Sequence, residues 1–542
     1  MIAGGRDHGS EIREISAAAR HPSGGGADFQ PQQAVIHRLA SQGVIITRLV
    51  TDSRDVRAGD TFIAYPGNRV DGRQFIAQAI ASGANAVIWE ARDFIWNPAW
   101  QIPNLAVADL RHHAGEIADQ VYGGPSKKLW MVGVTGTNGK TSCSHWVAQA
   151  FGALNKKTAL FGTLGNGFPG DLQATLNTTP DAIRLHGLLA DYLAQGAQAA
   201  AMEVSSHALD QGRVNGVHYD VALLTNLSRD HLDYHGNMSS YAAAKRRLFG
   251  WQQLGYAVLN LDDAFGLEMA EQLRDAGPEM IAYGLTPAAL ATAERLGLRM
   301  VHGAGLRMGG QQGFDLQVRS SWGGGTLHSG LVGRFNASNL LGVLAVLLVS
   351  GIALTDALRE LGQVQAVRGR MQALGGSDRP AVVVDYAHTP DALEKVLLSL
   401  REVAQARGGK LVCVFGCGGD RDRGKRPMMG VIADKLADTC IVTSDNPRSE
   451  SPADIIAAIA AGMSGAHQSV ENRARAIGLA ISGARAADTV LVAGKGHEEY
   501  QEINGVKYPF SDIEVARSAL QAWPQQQAQS AHDAGNTRGA KA

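Results

Sequence analysis

The run GVTGTNGKTS, Gly133 to Ser142, carries the sharpest chemical signal in the sequence. It follows the apolar stretch LWMVGV and precedes a helical run. A glycine-rich loop in that setting turns backbone N–H groups and the positive end of a helix dipole toward phosphate oxygens. Lys140 is spaced to reach the β and γ phosphates, and Thr141 to ligate magnesium through its hydroxyl. The order Gly133-x-x-Gly136-x-x-Gly139-Lys140-Thr141 is narrower than the usual spacing before Gly-Lys, and an ordinary glycine turn is the competing reading. Three further residues could do chemistry: Glu203 in AQAAAMEVS, His231 in TNLSRDHLDYHG and Lys245 in YAAAKRRLF. Read alone, Glu203 serves equally as a solvated strand-end charge, His231 as a satisfied loop histidine, and Lys245 with Arg246 and Arg247 as a basic helix face in water.

These residues need elements to hold them. LWMVGVT, AQAAAMEVS, YDVALLTNLS and YAVLNLD read as strands separated by helical periods, the pattern of a parallel sheet covered by helices. AVVVDYAH, KLVCVFGC, DTCIVTSD and DTVLVAGKGHE repeat that logic further on, as a dinucleotide-fold-like sheet lacking G-x-G-x-x-G, with ligands expected at the strands' C-terminal ends. Ahead of both, VIITRLVTDSR, DTFIAYPG, NAVIWEA and NLAVADL, with a helix near Gln74 to Ser82, form a small α/β module. GGPSKK, Gly123 to Lys128, is a linker candidate. The expected fold class is α/β in three domains: 32–126, a central P-loop-type sheet over 127–369, and 370–524, between a disordered leader, 1–31, and tail, 525–542.

Composition agrees. A chain of 542 residues is too long for one domain at about 150 residues each. With 45% hydrophobic and 19% charged residues it can fill several cores. A net charge of -1 recommends neither nucleic acid nor anionic membrane as partner. Four cysteines, Cys143, Cys413, Cys417 and Cys440, give no disulfide framework and no paired metal spacing, which fits a reducing cytoplasm. The apolar run Leu340 to Leu354 is too short to span a bilayer and reads as a buried helix, and the N-terminus lacks the apolar core of a secretory signal.

The form T-G-T-N-G-K-T, followed by EVSSHALDQGR from Glu203, TNLSRDHLDYHG from Thr225 and YAAAKRRLF from Tyr241, resembles the Mur ligases of bacterial peptidoglycan synthesis, over nearly the whole chain apart from leader and tail. That resemblance implies an ADP-forming amide ligase of three domains. TDSRDVRAGDTFIAYPGNRVDGR in the first domain and DNPR in the third match the members that add meso-diaminopimelate to UDP-N-acetylmuramoyl-L-alanyl-D-glutamate. Amide formation from a carboxylate in water is uphill, so ATP must first convert it to an acyl phosphate. Transfer between two anions then needs cations, here Mg²⁺ (two ions) and Lys or Arg.

Residue by residue, the resemblance assigns Gly136, Thr137, Asn138, Gly139, Lys140, Thr141 and Ser142 to the ATP phosphates, Asn336 in GRFNASN to adenine and Asp385 in VVVDYAHTPDAL to the ribose. Arg370 in VRGRM would approach the γ-phosphate from across the domain gap. Thr141, Glu203, His231 and Lys245 become metal ligands, Lys245 through a carbamate that turns a repelling cation into a carboxylate. Lys140, Lys245, His231 and Arg370 form the catalytic set. The UDP-sugar falls to Thr51, Ser53, Asn68, Arg69 and Val70, though DSR and DG are equally turn residues, and its peptide to Asn177, Thr178, Thr179, Ser205, Gln211 and Arg213.

Diaminopimelate falls to Arg421, Asp445, Asn446, Pro447, Arg448, Gly494 and Glu498. Arg448 offers a planar fork to the far carboxylate, with Asp445 and Asn446 accepting from the amine beside it, unless Asn-Pro is a plain turn and Arg448 a surface charge. The expected partners are these two substrates and ATP, acting on a monomer. The alternatives are the L-lysine-adding version, a folylpolyglutamate synthetase-like ligase, which would not need the first domain, and a P-loop switch that makes no bond.

Overall fold

In the computed structural model, residues 31–67, 70–175, 177–274, 277–308 and 313–523 are described. The expected leader, except for Pro31, and the tail lie outside the described residues, as do Asn68 and Arg69.

Apolar strands buried on both faces need cover on both, and the structure supplies it three times. The first sheet has four parallel strands, Leu49–Val50, Thr61–Ala64, Ala86–Glu90 and Asn104–Val107. Helices Pro31–Ala40 and Leu110–Val121, which the sequence reading did not pick out, meet beside this sheet and share its core. The helix expected near Gln74 is a 3₁₀ turn, Gly72–Phe75, running into Ile76–Ala81. The Gly-Gly-Pro linker is a packed corner. Gly123 and Gly124 take positive φ, and the buried Ser126 hydroxyl accepts from the His218 N–H at 3.0 Å.

The central sheet has eleven strands. Its middle is parallel as expected, but both edges turn antiparallel, through Phe314–Ser320 and Gly323–Ser329 at one side and Gly165–Phe168 and Asp171–Gln173 at the other. The glycine-rich or polar edge strands lack the unbroken apolar runs that mark strands covered on both faces, so that signal missed them. Trp130–Thr135 sits between Val221–Leu224 and Ala199–Glu203, with Val134 in register with Glu203 and Leu223. The loops after these three strands therefore leave from one end of the sheet, which brings together Gly136–Gly139, Glu203 and His231. Arg334–Val349, apolar on nearly every side beyond Asn339, is the expected buried helix and stops before Gly351, whose φ is +83°.

The third sheet runs Gln372–Gly375, Ala381–Asp385, Thr489–Ala493, Leu411–Phe415, Thr439–Thr443 and His467–Val470. All but the first strand are parallel. A hairpin, Tyr500–Ile503 with Val506–Pro509, packs beside the loop after Thr443. No helix among the described residues is long and apolar enough to cross a membrane.

Candidate active site

The phosphate loop is shaped by what crowds it. A Cβ on Gly136 would run into the Thr225 hydroxyl, and one on Gly139 would stand 2.9 Å from Asn339 Oδ1. Asn226 takes up two loop N–H groups: its carbonyl accepts from Thr137 (2.9 Å) and its Oδ1 from Asn138 (3.0 Å). That leaves the N-terminal turn of the Lys140–Ala153 helix to face an anion. Lys140 Nζ folds back onto the carbonyls of Gly136 (2.9 Å) and Thr137 (2.8 Å), and burial holds its pKa below the ordinary lysine value.

Glu203 is buried at its strand end. It accepts from Thr141 Oγ1 (2.9 Å), from the Thr163 N–H (2.7 Å) and from Thr163 Oγ1 (3.2 Å), so a hydroxyl of the phosphate loop and a carboxylate share one spot. His231 caps the short Leu232–His235 helix at φ +54°, with its ring 4.9 Å from that of His207. Burial keeps its imidazole below the usual range and hence neutral, against the pull of Asp230. Lys245 departs from the solvated-face reading. It is 1% exposed, donates to Gly136 O at 2.8 Å and lies 4.6 Å over the Tyr241 ring. Burial, with Lys140 nearby, depresses its pKa well below the ordinary value.

The C-terminal body closes over this end. Arg370 Nη2 donates to Thr141 Oγ1 at 3.2 Å, and Asn138 Nδ2 to Asp391 at 3.2 Å. His388 Nε2 lies 3.8 Å from Asp230, and Arg229 pairs with Asp422 at 3.1 Å. A cavity of about 580 Å³ results, walled by Thr137 to Thr141, Glu203, His231, Lys245, Asn177, Thr178, Ser205 and Arg213 from the central body and by Arg370, His388 and Arg421 from the C-terminal one. An adjoining slot is lined by Asn138, Gly139, Thr141, Ser142, Asn336, Arg370 and Asp385. The Asp385 carboxylate there accepts from the Met371 (2.7 Å) and Ala387 (2.8 Å) N–H groups.

Other expected contacts sit differently. The Thr179 hydroxyl is buried and bonded to the Glu203 carbonyl at 2.7 Å, so it is not offered to a ligand. Gln211 holds the Arg213 Nε at 2.8 Å and donates to Tyr234, which makes it a support for Arg213. Thr51, Ser53 and Val70 belong to the first module, outside the lining of the 580 Å³ cavity, and the Ser53 hydroxyl donates to Gln78 at 2.9 Å.

At the ends of the third sheet, Arg448, at φ +52°, donates through Nε to Glu502 (3.2 Å) and through Nη1 to the Gly419 carbonyl (2.8 Å). Its Nη2 has no protein partner among the described residues, so the outer edge of the fork is open. Burial opposes ionisation of Asp445, but Lys495 and Arg473 hold its carboxyl below the ordinary range. Gly494 packs against Asp445 so closely that a Cβ would lie 2.6 Å from Oδ2. Asn446 does not accept as expected. Its Oδ1 is taken by Lys495 Nζ (2.9 Å) and the Glu502 N–H (3.0 Å), and its Nδ2 donates to Glu498 at 2.8 Å. Glu498 opens onto a second cavity of about 780 Å³, which Asn177 and Thr178 also line.

Sequence reasoning missed Lys495, though it stands between two residues it named. It also missed Arg473, whose buried pair with Asp512 (2.7 Å) ties the carbonyls of Ser444 and Ala493 together. A single charged residue in a polar loop or at a helix start leaves no periodic signal.

Three family models match in chain order: Mur ligase family, catalytic domain over residues 45–122, Mur ligase middle domain over 134–347, and Mur ligase, glutamate ligase domain over 369–496. The chain belongs to the Mur ligase family. It is similar to the UDP-N-acetylmuramoyl-L-alanyl-D-glutamate--2,6-diaminopimelate ligase of Nitrosomonas europaea, 53% identical over 88% of this chain and 93% of the relative. The protein so named from Pseudomonas aeruginosa is 50% identical over 89% of this chain and 97% of its own length. A solved UDP-N-acetylmuramoyl-L-alanyl-D-glutamate--2,6-diaminopimelate ligase superposes with a TM-score of 0.63 at 39% identity, covering 88% of this chain and 95% of that one. The three-domain α/β fold is thus that of the family.

Proposed function

We propose that this Mur ligase joins meso-diaminopimelate to UDP-N-acetylmuramoyl-L-alanyl-D-glutamate, ATP giving ADP and phosphate. The observation that carries the reading is the single cleft in which the phosphate loop, Glu203, His231 and Lys245 share walls with Arg370 and Arg421. Phosphate donor, acceptor carboxylate and incoming amine can meet there.

The donor set fits magnesium. The described residues hold no group of three or more His, Cys, Asp or Glu able to cage a metal. Mg²⁺ characteristically takes one or two carboxylates and completes its shell with phosphates and water. Thr141 with Glu203 would hold one ion, and neutral His231 with a carbamylated Lys245 a second. When bound, magnesium offsets the charge of the transferring phosphoryl group. A buried lysine with a depressed pKa is the nucleophilic amine that carbamate formation requires.

Within that frame Lys140 and Arg370 flank the transferred phosphoryl group, and Arg370 does so only when the two bodies are closed, which keeps water from the acyl phosphate. Asn336 and Asp385 hold the nucleoside. Asn177, Thr178, Ser205 and Arg213 hold the peptide carboxylates, and Thr51, Ser53, Asn68, Arg69 and Val70 the UDP end. The amine of diaminopimelate attacks the glutamyl acyl phosphate: a C–N bond forms, the C–O bond to phosphate breaks, and the amine's proton is released. The enzyme works as a cytoplasmic monomer.

Phosphate release by the purified protein tests the reading. It is expected only with ATP, nucleotide-peptide and diaminopimelate together. Release with ATP alone would indicate a switch, preference for L-lysine the sister enzyme, and release with folate and glutamate the folate-modifying relative.

A further inference from the structure

Lys495 has no role in the chemistry above, yet it is fully buried beside Asn446 and Glu498, the latter on the wall of the second cavity. Its Nζ donates to Asn446 Oδ1 (2.9 Å) and to Glu498 Oε2 (2.8 Å), the second of which also accepts from Asn446 Nδ2 (2.8 Å). An ammonium and a backbone N–H can only donate. The Asn446 atom that receives both Lys495 and the Glu502 N–H must therefore be oxygen, and the atom facing Glu498 must be the amide NH₂. Lys495 thereby settles two directions at once. It turns the Asn446 amide, and it binds Oε2 of Glu498, which leaves Oε1 without a protein partner among the described residues on a residue that lines the cavity.

We propose that Lys495 is a positioning residue for amino-acid selection, which holds Glu498 and Asn446 so that the far ammonium of diaminopimelate meets a carboxylate of defined direction while the far carboxylate meets Arg448. Reading the configuration of a carbon takes fixed points for its substituents. Arg448 supplies one and Glu498 the other, and Lys495 is the cation that keeps Glu498 in place. The inference rests on the functional reading above, and wild-type turnover with meso-diaminopimelate checks that reading separately.

The experiment is steady-state kinetics of the full chain and of Lys495→Met. The expected result is a KM for meso-diaminopimelate raised about tenfold to a hundredfold, the range for losing a charge-assisted hydrogen bond. KM for ATP and for the nucleotide-peptide stays at the wild-type value, and the preference for meso- over LL-diaminopimelate shrinks. In a Glu498→Gln background the same substitution costs much less, because its effect passes through Glu498. If Lys495→Met does not fold, Lys495→Gln, which keeps a donor without the charge, carries the same expectations. Equal rises in all three KM values, a fall confined to kcat, or unchanged stereochemical preference would overturn the assignment. A wild type that makes no product from diaminopimelate would instead overturn the functional reading, and this inference with it.

Discussion

Glu203 can be tested without being touched. Gly162 ends the neighbouring strand, and a Cβ there would stand 2.9 Å from Glu203 Cδ, 3.0 Å from Cγ and closer still to Oε1. No real Cβ tolerates that approach, while the backbone at 162 is not among the positive-φ positions and accepts alanine. In Gly162→Ala the carboxylate must therefore swing away, by about 1 Å, from Thr141 and from both donors of Thr163. Losing charge-assisted bonds of this kind costs about 1.5 to 3 kcal/mol. Expressed in the step that needs a magnesium site, that is roughly tenfold to over a hundredfold in kcat. The assay is ADP formation with all three substrates, titrated with Mg²⁺. We expect kcat to fall in that range, the Mg²⁺ requirement to rise, and KM for diaminopimelate to hold, since Gly162 lines neither described cavity. Wild-type kcat and Mg²⁺ dependence in a folded Gly162→Ala protein would refute the placement of Glu203 at the metal.

Lys245→Ala should be nearly inactive, with short carboxylic acids partly restoring turnover; a bare ammonium in a well-resolved map of the magnesium-bound enzyme would count against the carbamate. Arg448→Ala should weaken apparent affinity for diaminopimelate by about tenfold to over a hundredfold, with little further loss for L-lysine, which has no far carboxylate; unchanged use of diaminopimelate would sink this role. Glu450 pairs with Arg426 at 2.8 Å, and this guanidinium, aided by the Asp420 N–H and Arg423, holds its pKa at about 2, below the ordinary 4.5. A depressed carboxyl stabilises the fold above its unfolded value and loses that contribution as pH falls through the folded one. Glu450→Gln should therefore cost about 1 kcal/mol or less at neutral pH, a deficit that shrinks below about pH 4.5 and closes as pH falls through about 2; denaturant unfolding at several pH values reads it, and a pH-independent deficit would refute the pairing.

What the sequence determined by itself is what local pattern encodes. Gly136, Gly139, Lys140 and Thr141 form a motif because four neighbours in register suffice to make a phosphate loop, and strand ends such as Glu203 and Asp385 are visible because apolar runs stop there. The buried helix near Leu340 follows from having no polar side. Tertiary structure alone decided which groups meet. Lys245 looks like one charge of a solvated basic face until Gly136, 109 residues away, accepts its ammonium inside the core. Asn446 can donate or accept by composition; Lys495 and the Glu502 N–H occupy its Oδ1, which leaves its Nδ2 to donate to Glu498. The Thr179 hydroxyl seems available until the Glu203 carbonyl takes it. At the edges of the central sheet, Phe314–Ser320 alternates apolar and polar residues, but the short or glycine-rich strands Gly165–Phe168, Asp171–Gln173 and Gly323–Ser329 are specified by cross-strand pairing that their own residues do not record. Periodicity reports which face of an element avoids water; the partner of a buried polar atom depends on residues tens or hundreds of positions distant, and only the folded chain brings those within bonding range.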